Sequence, residues 1–216
     1  RQPTLSVDGV GLEETAELTV DLLEETGFDE AELVETSGAP GVWGYSDEGA
    51  EKTVVTYGML DTRLVLDEDA WDYGPFDAER TEIEPYGEVV VGRITAKAGF
   101  VAYLNALAAT REALGSLPVN VMVLAEAEEI NGSPHYYEML DQYADRVAEA
   151  DACFGPGLSQ SDAGNVTGAL GYKSAIYFDL EVSGESWGRG PAGGDLHAMS
   201  NSTVDAPAWR FVDALS

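Results

Sequence analysis

The stretch "TVVTYGMLDTR", residues 53–63, has the form of a ligand-bearing strand end. A β-branched run closes on Tyr57 and Gly58, and Asp61 stands where a strand would give out. In α/β enzymes an apolar strand, a glycine and a polar pair present metal-ligating side chains at the carboxyl edge of a sheet. Here the edge residue is Met59, a soft, neutral thioether that suits copper(I) and serves zinc poorly among oxygen donors. In "LPVNVMVLAEAEEINGSPH" an apolar run gives way to acids and then to His135, which reads as a structural or surface residue. Cys153 has no histidine beside it and reads as buried packing. "GRGPAGG" lacks the lysine and the strand-to-helix setting of a phosphate loop, so it reads as a linker. Tyr136, Tyr137, Met139 and Leu140 read as one face of a helix core.

These residues need a frame to hold them. Apolar positions at Leu12, Ala16, Leu18, Leu22 and Leu23 predict an acidic amphipathic helix closing at Gly27. "AELVET" and "GVWGY" predict short strands around the turn "SGAPG", and "KTVVTYG" a stronger one. Residues 67–93 predict a long loop with a hairpin-like close. A helix follows from about Gly99 to Leu114, then a buried strand in "LPVNVMVLAEAEE", a helix in "SPHYYEMLDQYADRVAEA", a short strand in "DACFG" and a long one in "KSAIYFDLEVSG". Alternating strands and helices specify an α/β chain with a mostly parallel twisted sheet and flanking helices. Beyond residue 182 the texture turns Gly- and Ser-rich, and "AWRFVDALS" starts a helix. The expected division is 1–182 and 183–216.

Composition narrows the partners. The 216 residues are 44% hydrophobic, enough for a real core. Against 40 Asp and Glu stand 11 Lys and Arg, a formal charge of −29, which repels nucleic acid and anionic membranes. The periodic apolar segments and the four Trp, ten Tyr and six Phe argue against disorder, so the acid reads as adaptation to molar salt. The single cysteine excludes an internal disulfide and suits a reducing cytoplasm. No apolar run is long enough to span a bilayer, and the first residues do not read as a signal peptide, so none is expected.

Six blocks in order, "VVTYGMLD", "WDYGPFDAERTE", "GEVVVGRITAKAGFVAYLNAL", "LPVNVMVLAEAEEINGSPH", "GALGYKSAIYFDLEVSG" and "DLHAMSN", resemble the M20 family of zinc exopeptidases and amidohydrolases. That resemblance implies a catalytic α/β domain binding two zinc ions, and an α+β lid that dimerises. It also implies a metal-bridged water that attacks an amide carbonyl, with a glutamate as general base. Residues 1–182 would be the first part of the catalytic domain, and 183–216 the start of the lid.

The chemistry carries over unevenly. The family motif Gly-His-x-Asp becomes Gly58-Met59-Leu60-Asp61, which keeps the supporting aspartate and replaces the ligand. Alignment on Gly99 places Ala96 at the metal-bridging aspartate. Alignment on Gly132 and Ser133 places Glu129 at the general base and Ile130 at the next ligand, whereas a slip of one residue would restore the pair as Glu128 and Glu129. Counts from Asp151 and back from Gly171 both put Gly157 at the fourth ligand, with Asp162 nearby. His197 matches a lid histidine that contacts substrate across the dimer. Zinc needs about four N, S or O donors at roughly 2.0 to 2.3 Å. Met59, Ala96, Ile130 and Gly157 offer none of the expected kind.

The sequence therefore reads as a non-catalytic homologue that needs no cofactor. It would act as a binding or partner subunit, a homodimer or a heterodimer with an M20 paralogue, with a peptide or small molecule in its cleft. The alternative is an active zinc dipeptidase or deacylase that recruits Glu128, Glu129 and Asp162.

Overall fold

The structure, a computed structural model, describes residues 1–94, 97–157, 159–161, 163–171, 173, 176, 178–191, 193–194 and 196–216. The chain divides into two compact units, Arg1–Gly168 and Ala169–Ser216.

In the first unit, helix α1 (Leu12–Thr26) buries Ala16 and Leu23 and stops at Gly27, whose φ of 88° is open to glycine and costly for other residues. Strands β1 (Glu30–Val34) and β2 (Gly41–Ser46) form an antiparallel hairpin around the anticipated turn. Strand β3 (Thr53–Met59) follows. The loop after it closes in the hairpin of β4 (Glu79–Ile83) and β5 (Gly87–Val91). Helix α2 (Lys97–Leu114) leads to β6 (Asn120–Glu126), then α3 (Tyr136–Gln142), α4 (Ala144–Val147) and β7 (Ala152–Phe154).

The sheet order is β1-β2-β6-β3-β7. Strands β6, β3 and β7 are parallel, while β2 opposes both β6 and β1, so every strand except β2 points the same way. This is the mostly parallel α/β sheet that the alternating pattern specifies. One core layer gathers Ala16, Leu23, Phe100, Leu104, Val121 and Val123. A second gathers Trp43, Val55, Met122, Leu124 and Met139, so β6 is covered on both faces and every one of its residues is buried. The short pair β8 (Ser159–Gln160) and β9 (Val166–Thr167) closes the unit.

Three details differ from the sequence reading. The helix expected over 133–150 is broken at Tyr143, whose ring stacks on Trp43 at 4.1 Å and whose hydroxyl donates to Glu32; holding that ring takes the backbone out of the helical region. Cys153 is exposed, on a strand, β7, that pairs among the described residues with β3 alone and lies at the sheet edge. Among the described residues of 173–184 none is in a strand, although Ile176 and Phe178 favour one; a strand needs a neighbour to pair with.

The second unit carries short 3-10 turns at Gly184–Trp187 and Ala198–Ser202, and helix α5 (Pro207–Ala214). No helix among the described residues is long and apolar enough to cross a membrane.

Candidate functional site

Strands β3 and β6 run parallel with Met59 opposite Glu126, so both deliver the residues that follow them to one edge of the sheet. Gly58 permits this closeness: a Cβ there would stand 2.7 Å from Ala125 Cβ and 2.9 Å from Phe100 Cε2. Leu60 N–H donates to Glu126 O at 2.8 Å and extends the ladder one residue past the strand.

Asp61 is fully buried at this edge. Its Oδ2 accepts from Ser6 Oγ at 2.6 Å and from the Ile130 N–H at 2.9 Å, tying the β3 end to the turn Glu129–Asn131. Its Oδ1 is buried and has no hydrogen-bond partner among the described residues. Lys97, half-buried, donates to Gln2 O at 2.7 Å and Thr4 Oγ1 at 2.5 Å. Burial lowers its amine to about 8, against the opposing pull of Asp61.

Glu126 ends the buried strand. Its Oε1 accepts from Tyr57 OH at 2.5 Å and Ser133 Oγ at 2.7 Å. Burial raises its pKa despite both donors, and the charges of Asp61 and Glu129 push the same way, so it keeps its proton to higher pH than a surface glutamate. Ser133 sits at φ 56°, a conformation that non-glycine residues seldom adopt. Next along the turn, Glu128 Oε2 lies 2.8 Å from His135 Nδ1 and accepts the Ala39 N–H at 3.2 Å. The bond to Glu128 raises the His135 pKa.

The residues singled out from sequence separate into groups. Met59 and Gly157 are neighbours, since a Cβ on Gly157 would stand 3.7 Å from Met59 Cε. Ile130 is held to Asp61 by its backbone. Glu128 and Glu129 share the turn after β6 and are half-buried. Ala96 and Asp162 lie outside the described residues. His197 belongs to the second unit, where its Nδ1 accepts the Met199 N–H at 3.2 Å.

A thioether, an isoleucine and a glycine supply neither imidazole nor carboxylate. Among the described residues no group of three or more His, Cys, Asp or Glu is placed to hold a metal ion. This donor set does not fit a pair of zinc ions. What the edge does offer is a half-buried carboxylate, Glu129, on a turn whose next residue is anchored by a buried one, Asp61.

Sequence reasoning passed over Glu126, Ser6 and Lys97. Glu126 had a legible signal, an acid inside an otherwise apolar run. Ser6 and Lys97 reach the site only through contacts distant in sequence.

The sequence matches no family model. The Cys-Gly metallodipeptidase DUG1 of Candida albicans is 30% identical over an alignment covering 56% of this chain and 27% of that protein. An M20 family metallo-carboxypeptidase from Sulfolobus solfataricus superposes with a TM-score of 0.65 at 27% identity, covering 76% of this chain and 36% of the other. The di-peptidase Dug1p of Saccharomyces cerevisiae gives 0.58 at 23%, covering 71% and 35%, a likeness of fold alone. The chain thus spans between about a quarter and little more than a third of these proteins. In sequence it is similar to a metallodipeptidase, and in fold to an M20 family metallo-carboxypeptidase, in keeping with the order of its motifs.

Proposed function

We propose that this M20-related chain is part of an amide-bond hydrolase acting on a short peptide or an acylated amino acid. The observation that carries the reading is the placement of Glu129, at the carboxyl edge of parallel strands, on a turn locked by the bond from the Ile130 N–H to Asp61. A carboxylate carried on that turn would serve as the base that takes a proton from a nucleophile bound over the edge. The relatives named above include a metallodipeptidase and a metallo-carboxypeptidase, which supports the same class. A metal is the cofactor they imply, zinc on the family resemblance, and it would supply Lewis-acid activation. Since Met59, Ile130 and Gly157 do not fit it, its donors on this reading lie elsewhere in the protein or at Glu128 and Asp162, with Glu129 kept as the base.

One observation favours a second reading, a non-catalytic homologue acting as a binding or partner subunit in a dimer. Met59 turns a methyl toward Gly157 at the edge where relatives of this type would carry ligands. Metal analysis of the full-length protein, with hydrolysis of a dipeptide panel, separates the two. About two zinc equivalents together with turnover supports the hydrolase. Protein that takes up no zinc and turns over no dipeptide, yet co-purifies with a stoichiometric partner, supports the subunit and overturns it.

A further inference from the structure

Eleven cationic side chains serve a chain of formal charge −29, and three of them, Arg1, Arg93 and Lys97, line one cavity of about 50 Å³. Its described lining contains no acid. None of the three is in an ion pair among the described residues, whereas Lys52, Arg80, Arg111, Arg146, Arg189 and Arg210 all are. With so many carboxylates available, a group of cations left without one is the reverse of what the composition favours.

The cations are held by backbone carbonyls instead. Arg93 Nε donates to Arg63 O at 3.2 Å and Arg1 Nε to Asp77 O at 3.0 Å, while Lys97 donates to Gln2 O and Thr4 Oγ1. These bonds fix the side chains without neutralising them. A guanidinium has five N–H donors and an ammonium three, so each cation keeps donors to spare. The acid that acts on Lys97, Asp61, is not among the lining residues, and the Asp77 carboxylate folds back over Gly74.

The walls are built to stay in place. Arg93 N–H donates to Pro75 O at 2.6 Å, clamping the segment after β5 onto the loop before β4. Ala78, in the lining, has φ 50°, a conformation a residue with a Cβ keeps only when its surroundings impose it. Phe76, Pro75 and Ile94 add apolar surface beside the charges.

We propose that this cavity is an anion site that takes one small oxyanion, a carboxylate or a phosphate group. Its volume suits a single such head, and the cations that three segments of the chain contribute to its lining would give it the charge-assisted bonds that oxyanions accept. The proposal does not rest on the hydrolytic reading, because it uses neither Glu129 nor Met59, and Lys97 is the one residue that the two regions share.

The test is calorimetric titration of the full-length protein with inorganic phosphate and, separately, with acetate, at ionic strength held constant by sodium chloride. Saturable binding of phosphate alone assigns a phosphoryl ligand, and of acetate alone a carboxylate. Saturable binding of neither overturns the proposal. The variant carrying Arg93→Lys and Lys97→Met should lose at least about tenfold in affinity, the value of one charge-assisted bond, and unchanged affinity overturns the site. A readout on the unaltered protein guards against a variant that fails to fold: the bound anion should slow acetylation of Lys97, followed by peptide mapping, while Lys52 reacts as before. Equal reaction of Lys97 with and without the anion also overturns it.

Discussion

Met59 and Gly157 meet at the carboxyl edge of the sheet, with the Met59 methyl 3.7 Å from the point where a Cβ on Gly157 would stand. That separation is an ordinary van der Waals contact, and Gly157 has no positive φ to forbid a side chain. Gly157→Asp should therefore fold with a change within about 0.5 kcal/mol, as for most surface substitutions. Met59→His alone should leave zinc content at the wild-type level, because one imidazole is not a site. Met59→His with Gly157→Asp should raise it, measured by metal analysis after dialysis against zinc. A comparable rise from Met59→His alone would mean that other ligands are already in place.

Gly58 tests the packing that brings β3 and α2 together. Its missing side chain leaves room for Phe100, and an alanine would press on Ala125 and on the buried ring at once. Gly58→Ala should destabilise by about 1–3 kcal/mol, the usual cost of overpacking. Urea unfolding reports it, and an unchanged midpoint would show that α2 can move away.

Arg111 and Glu48 form a largely enclosed pair, with side chains 18% and 10% exposed. Glu48 also accepts the Leu117 N–H at 3.0 Å, and Arg111 donates to Thr26 O and Ser46 Oγ, so the pair ties together the ends of α1, β2 and α2. Arg111→Met leaves a buried carboxylate uncompensated and should cost about 3 kcal/mol. Adding Glu48→Gln should recover part of the loss in a double-mutant cycle. The bond to Arg111 holds the Glu48 pKa below its ordinary value. Its contribution is therefore complete above the unfolded value of about 4.3 and is lost as pH falls through the folded one.

His135 behaves in the opposite sense. Its bond to Glu128 raises its pKa, so the pair stabilises fully below the unfolded value of about 6.5 and loses that contribution as pH rises through the folded one. The urea midpoint of the wild type relative to His135→Gln should fall between pH 6 and 8.5. A constant difference across that range would remove the imidazolium from the account.

Much of the frame was legible because period and punctuation agree with it. The helix ending at Gly27, the hairpin around residues 37–40 and the apolar run Val121–Ala125 within β6 follow from local rules that tertiary packing did not override. The break at Tyr143 was not legible, since it depends on a ring stacking against Trp43 from a distant strand. The site was half legible. Motif spacing picked out Met59, Asp61, Glu129 and Gly157, but the ties from Asp61 to Ser6 and Ile130 join segments 55 and 69 residues apart. No periodicity encodes such closures.

The place of β6 sets where the molecule gives way last. It lies at the centre of the sheet, bonded on one side to β2 and on the other to β3, with each of its residues buried. Freeing its amides to exchange with heavy water requires opening both neighbours together, which costs close to the whole free energy of the fold. The turn that carries Glu129 is thus moored to the slowest-breathing part of the protein.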